Sequence, residues 1–586
     1  MSHLFHLKKR TEPAKNCTAA ADSTPAKNYS PDNFLVKALF LISAVSVTFI
    51  LSIPFSSMEF LRELAAEFTE YAEYAEYAQH AGTFSHLSPT AFILPSVIIG
   101  AMLWLYLVCR KNLLQKIWKE AAKPYCAAAG VLALVTSWIF AEGLCAHPDV
   151  LPMPCSILFC ILILYALYLF WKFLLCSLVP VVFRFIRGLD RIEKWYLGII
   201  VICGAVAVPV LYSLTDVFYA QFNAFYGADS MMLYTDNAFN LIGTIGNSIV
   251  LCNIKHIIFG LFGLPFGIIA FLVSKVLFFV PEAYIMTIAI LQIAALGVTA
   301  VLLSRLVKAK GYLKAGFLLI MTVAFPSIIF SLTIENYFFA AFWLVLFVYS
   351  VCTSERFKDW LFIGAVGTVT TSAVMFPFLA KKFDIKKYLS VACKAVVLFL
   401  LCGRLSVFGS AVQEFIVQTH FTNIGQTVAE KVSVYGSFVS SLLFAPEMEI
   451  SQPSHYSFDV SFYYTNVPGF WAGIAGYIVL AVAVCGFIWY RKERFAKICI
   501  WMTAFSVLLI GIVGWGSNET VLFTFYFSWA VIALVYLAVH KLCANHPKVE
   551  MVILICLAAA LLIINIPAFA DAVAFGMQYY PTVLHV

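Results

Sequence analysis

Apolar runs of roughly twenty residues recur along this chain, and they constrain its fold more than any motif does. They fall near 33–55, 91–109, 125–145, 155–180, 194–214, 257–280, 283–306, 316–333, 337–352, 361–380, 388–408, 470–490, 498–516, 521–541 and 550–569. In a bilayer only helices and closed barrels satisfy every backbone group, and these runs do not alternate as barrel strands would. With 62% hydrophobic and 12% charged residues over 586 positions, the sequence reads as an all-α polytopic membrane protein. The net charge of +7 lies mainly at the ends of the runs, so it orients the spans and does not point to nucleic acid. The 16 cysteines are scattered without a CxxC pair and read as small packing residues.

Basic clusters belong on the cytoplasmic side of a membrane, and that rule edits the list of runs. A basic, polar tail over 1–32, without a signal-peptide pattern, starts inside, and a four-helix region follows over 33–190. Span 194–214 then delivers the loop 215–256 to the external face. If both 257–280 and 283–306 crossed, Arg305, Lys308, Lys310 and Lys314 would land outside. The first run holds Gly260, Gly263, Pro265 and Gly267 and begins beside Lys255 and His256, so it is expected to lie in or along the outer interface. The run 361–380 sits between basic flanks on both sides and is expected to re-enter. About thirteen crossings remain. The N-terminus is then cytoplasmic and the C-terminus external. The divisions are a core over 191–408, an external loop over 409–469 and terminal helices over 470–586. That loop carries Tyr456, Phe458, Phe462, Tyr463 and Tyr464 and is expected to close over a site as a lid. The repeat Glu70-Tyr-Ala-Glu-Tyr-Ala-Glu-Tyr-Ala78 reads as an acidic external helix.

The loop 215–256 concentrates the groups that carry chemistry. It offers Asp216, Asp229 and Asp236 among aromatics, then Lys255 and His256 at the edge of an apolar run. A carboxylate in such a loop can act as general base toward a hydroxyl, and a nearby cation can hold a departing phosphate. The bland alternative is that external loops carry acids and boundary lysines snorkel.

The order of these features resembles the GT-C superfamily of integral-membrane glycosyltransferases, of the protein O-mannosyltransferase and aminoarabinose transferase type. In those enzymes a span leads to an external acid, then to a His-containing segment opening interfacial helices, then to a span ending in basic residues. Here Tyr234-Thr-Asp236-Asn precedes Lys255-His256-Ile-Ile-Phe-Gly, and 283–306 ends at Ser304-Arg305-Leu306. Two external turns are similar as well, Phe330–Phe339 with Glu335 and Gly514–Thr520 with Glu519. The chain departs from the pattern in having Asn237 rather than a second acid, and no proline after His256.

The resemblance implies transfer of a sugar from a polyprenyl-phosphate donor to an acceptor hydroxyl on the external face, in a bacterial plasma membrane. Asp236 would be the base, Asp229 the live alternative and Asp216 the third. Lys255 and His256 would bind the donor phosphate, with Glu335 or a divalent cation assisting and Glu519 in support. No metal-ligand set is assigned, and the partners are membrane lipids, the donor and a glycan, lipid or protein acceptor. The rival readings are a lipid-linked glycan transporter, which needs polar residues within the spans, and a polysaccharide polymerase. The polymerase would want paired arginines in 409–469, which has none.

Overall fold

The computed structural model describes residues 124–145, 179–218, 259–353 except 281 and 335, 358–402 except 382–383, 427–451, 461–464, 470–515 and 520–581, with isolated positions 164, 168, 172 and 175. The Glu70–Ala78 repeat lies outside them. The chain divides into a smaller unit, 1–53 with 86–181, and a larger one, 54–85 with 182–586. In the smaller, helix α1 (Pro124–Cys145) buries Cys126, Ala129 and Ala133, small residues spaced along one helix face.

The larger unit is a helical bundle. Its helices are α2 (Val179–Arg187, entering the unit at Val182), α3 (Arg191–Leu214), α4 (Phe259–Val276), α5 (Ala283–Leu306), α6 (Gly311–Val323), α7 (Phe325–Leu332), α8 (Asn336–Thr353), α9 (Lys358–Thr368), α10 (Ile385–Cys402), α11 (Val428–Ser441), α12 (Phe470–Tyr490), α13 (Arg494–Ser506), α14 (Thr524–Leu542) and α15 (Pro547–Tyr579). Strands β1 (Met448–Ser451) and β2 (Ser461–Tyr464) form one antiparallel pair. Among the described residues six helical stretches are long and apolar enough to cross a membrane, or seven if α6 and α7, bent by 58°, count as one. The chain is a multi-pass helical membrane protein. Of the apolar window of α14 94% is buried, against 22% in α15, so α14 is central and α15 peripheral.

Small residues set the closest helix contacts, as expected where lipid supplies no hydrophobic drive between helices. A side chain at Gly476 of α12 would put its Cβ 1.9 Å from the Gly436 carbonyl oxygen of α11, and one at Gly486 2.1 Å from the Leu534 carbonyl oxygen of α14. This is why the expected external loop 409–469 is not wholly a loop. A capping box at Thr427 and Glu430 starts α11, and Tyr435 through Leu443 are buried. Gly436, Ser437 and Ser440 look like loop residues in the sequence, yet they are what lets the helix seat against α12. The lid expectation therefore fails for 428–443.

A buried asparagine closes the bend between α6 and α7. Asn565 of α15, with no exposure, donates 2.8 Å to the Val323 carbonyl and 2.9 Å to the Leu443 carbonyl. It also accepts from the Ala445 amide at 2.8 Å. The Leu443 carbonyl accepts the Phe325 amide as well, at 3.0 Å. Backbone groups exposed by the bend are thus paired inside the bundle.

The stretch 358–381 leaves and regains one end of the bundle. Helix α9 runs inward, and a 3-10 stretch, Thr370–Leu379, returns. Arg494 donates to the Val351 carbonyl at 3.2 Å, to Phe378 at 2.7 Å and to Ala380 at 3.3 Å, tying the return to the end of α8. Asp359, in the first turn of α9, meets Lys394 at 3.6 Å and Lys387 at 4.0 Å on α10.

Candidate functional site

Two ends of the larger unit carry different chemistry, and a charge network fixes which elements meet at each. Asp190 and Glu193 form a capping box at the start of α3. Glu193, 1% exposed, receives Arg305 through two bonds, Nε to Oε1 at 2.9 Å and a terminal nitrogen to Oε2 at 2.6 Å. Lys314 donates to Glu193 Oε1 at 2.8 Å and also to Asp190. Arg305 further donates to the Gly188 carbonyl at 3.0 Å and lies 5.1 Å over the Phe185 ring. Burial pushes the Asp190 carboxyl up, but the Lys314 bond and charge and the amides of Glu193 and Ile192 outweigh it, leaving its pKa below the ordinary value.

This network joins the start of α3 to the end of α5 and the start of α6. The basic clusters 184–194 and 305–314 therefore share one end, as the charge argument requires. Leu214 and Ala283, at the other ends of α3 and α5, then lie together at the opposite end. The connection 215–282 leaves from that end and returns to it.

At that opposite end the flanks of several predicted acids converge. The Thr215 hydroxyl and the Asp216 amide both donate to the Tyr580 carbonyl, at 2.8 and 3.0 Å. Phe218 is fully buried and its carbonyl accepts the Ile334 amide at 3.2 Å. Tyr212 donates to the Leu332 carbonyl at 2.8 Å, and Gln292, with no exposure, donates to Phe330 and Thr333 at 3.1 and 2.8 Å. Tyr337 meets Phe523 edge-on at 5.5 Å, and Phe338 stacks on Phe525 at 4.1 Å. The start of the 215–256 loop, the turn around Glu335 and the chain just after Glu519 thus share one region.

Asp216 is half-buried in that region. Asp229, Asp236, Lys255, His256, Glu335 and Glu519 lie outside the described residues. The chain is described again from Phe259, which is buried. The Phe262 carbonyl accepts Trp343 Nε1 at 3.3 Å, and Phe266 packs on Phe339 at 4.2 Å. Any side chain at Gly364 would strike the Phe262 ring at 2.7 Å. Helix α4 thus starts beside the middle of α8 and α9, rather than lying along the outer interface as its glycines suggested. At its far end Val276, Phe278 and Phe279 are exposed.

Among the described residues no three His, Cys, Asp or Glu side chains stand close enough to hold a metal, so the divalent cation finds no ligand set there. In the sequence Arg305 and Lys314 stand out only as orienting charges, and the acids that pair with them do not stand out at all. The signal was present in Asp190-Arg-Ile-Glu193, whose spacing is that of a capping box. No family model, curated protein or solved structure matches the chain.

Proposed function

We propose that the protein is an inverting membrane glycosyltransferase that moves a sugar from a polyprenyl-phosphate donor to an acceptor hydroxyl at the end opposite its basic face. The basic end faces the cytoplasm, the end with Thr215 and Tyr580 faces outward, and the C-terminus is external. About thirteen helices cross, with 358–381 as a re-entrant element. The observation that carries this reading is the convergence of Thr215–Phe218, Thr333–Tyr337 and Thr520–Phe525 at one end. Each of these segments contains or adjoins an acid in the GT-C-like pattern.

Asp236 takes the acceptor proton as the sugar–phosphate bond breaks, with Asp229 as the alternative base and Asp216 the third. Lys255 and His256 take up the charge on the departing phosphate, with Glu335 and Glu519 in support. The proton goes to the carboxylate, the bonding pair of the sugar–phosphate bond goes to the phosphate, and the acceptor oxygen forms the new glycosidic bond. The transporter reading draws less support. The fully buried polar side chains Gln292 and Asn565 spend donors on backbone carbonyls, which is a structural duty.

The test is sugar transfer from a labelled polyprenyl-phosphate sugar by the purified protein, with donor binding measured separately. Asp236→Asn is expected to abolish turnover and leave donor binding nearly intact, because a base acts mainly on the acceptor. Full turnover in both Asp236→Asn and Asp229→Asn would remove the proposed base.

A further inference from the structure

Lys431 stands in the first turn of α11, where a positive charge opposes the helix dipole. Its Nζ donates 2.9 Å to the Ile512 carbonyl, the last of a π-helical turn (Val507–Ile512) that extends α13. That contact uses one of three ammonium protons. Neighbouring Glu430 turns its carboxylate to the Thr427 amide at 2.7 Å, and no carboxylate among the described residues pairs with Lys431. A lysine that merely snorkelled would reach for water, whereas this one is held against a backbone carbonyl.

The surface around it is apolar. Val428 and Val432 on α11 are 79% and 50% exposed, and Leu508 and Ile512 on the π turn 50% and 60%. Each pair is spaced by four residues, so two apolar stripes run side by side with the ammonium between them. Helix α13 leaves the basic end at Arg494, beside the Glu493–Lys308 pair, and its π turn ends at Ile512, so Lys431 stands at the opposite end, away from the basic clusters 184–194, 305–314 and 491–497. An apolar seam on the outside of a membrane bundle, closed at its mouth by a cation that no described carboxylate meets, fits a molecule with a phosphate head and hydrocarbon tails.

We propose that the seam between α11 and the π turn binds an anionic phospholipid of the leaflet at that end, with Lys431 holding its phosphate. The tails lie along Val428/Val432 and Leu508/Ile512. The proposal uses no residue of the 215–256 loop and does not depend on the glycosyltransferase reading.

The test uses full-length protein in nanodiscs carrying a phosphatidylglycerol with a photoreactive tail, and peptide mapping of the crosslinks. Labelling is expected within 428–436 and 507–513, to fall about tenfold in Lys431→Gln, and to survive in Lys431→Arg. A phosphatidylcholine probe should label weakly and equally in all three proteins. Labelling unchanged by Lys431→Gln, equal labelling by both probes, or labels confined to other helices would overturn the site. Competition by polyprenyl phosphate but not by phosphatidylglycerol would also overturn it, because the seam would then serve a different lipid. Sugar transfer is not part of the readout, so the outcome is independent of enzymatic activity.

Discussion

Glu193 and Arg305 face each other across the ends of two antiparallel helices, joined by two hydrogen bonds with the carboxylate 1% exposed. Removing Glu193 takes the shared carboxylate from both Arg305 and Lys314, and removing Arg305 leaves the buried Glu193 with Lys314 alone; breaking a buried pair costs up to about 3–5 kcal/mol. Glu193→Gln and Arg305→Met should each lower thermal stability strongly. The double change Glu193→Leu with Arg305→Met should cost less than the two single changes summed, because no unpaired charge remains. A strictly additive cycle in detergent would show that the pair is not coupled.

Asp190 extends this network toward water. Its pKa in the folded protein lies below the ordinary 3.8, so its stabilising contribution is complete above that value and is lost as pH falls through the folded pKa. Its side chain is 48% exposed, so screening keeps the contribution small. Wild-type stability measured from about pH 5 to about pH 3 should fall more steeply than that of Asp190→Asn. Parallel curves would remove Asp190 from the acid-labile set.

Asn565 satisfies three backbone groups from inside an apolar helix. Asn565→Leu should strand the Val323 carbonyl and the Ala445 amide and weaken the pairing of Leu443, at about 1–3 kcal/mol per stranded group. Proteolysis near the α6–α7 bend should accelerate with the loss. Unchanged stability would mean that water replaces the side chain.

Gly476 allows α11 and α12 to touch backbone to backbone, with a Cβ position 1.9 Å from the Gly436 carbonyl oxygen. Gly476→Val should force the helices apart and cost at least the 1–3 kcal/mol, roughly, of an overpacked core. Val484→Ala on the same helix, at a position 38% exposed, is the matched control and should be nearly neutral.

Much of the fold was legible because two signals are local. Apolar length marks the spans, and basic clusters such as 184–194 and Arg305–Lys314 tell which span ends share a face without knowledge of any contact. The network around Glu193 was less legible, since sequence shows a basic cluster but not the acid that will meet it across more than a hundred residues. Helix α11 was hidden because Gly436, Ser437 and Ser440 give low hydropathy in the segment that packs most tightly. Asn565 was hidden for the opposite reason, as one polar residue in an apolar run gives no hint of three backbone partners. Of the candidate site, the convergence of the flanking segments followed from topology. The acids beyond Asp216 lie outside the described residues, and their roles rest on the resemblance to GT-C enzymes.

The central claim is that the loop 215–256, proposed to carry the chemistry, leaves from and returns to the end opposite the basic face, and the two ends of α5 test it most directly. In a cysteine-depleted variant, Glu282→Cys and Lys310→Cys would be treated on intact cells with a membrane-impermeant thiol reagent. The account predicts labelling of Glu282→Cys from outside and labelling of Lys310→Cys only after the membrane is opened. Strong labelling of Lys310→Cys from outside would invert or break the topology, and with it the placement of Asp236, Lys255 and His256 on the external face.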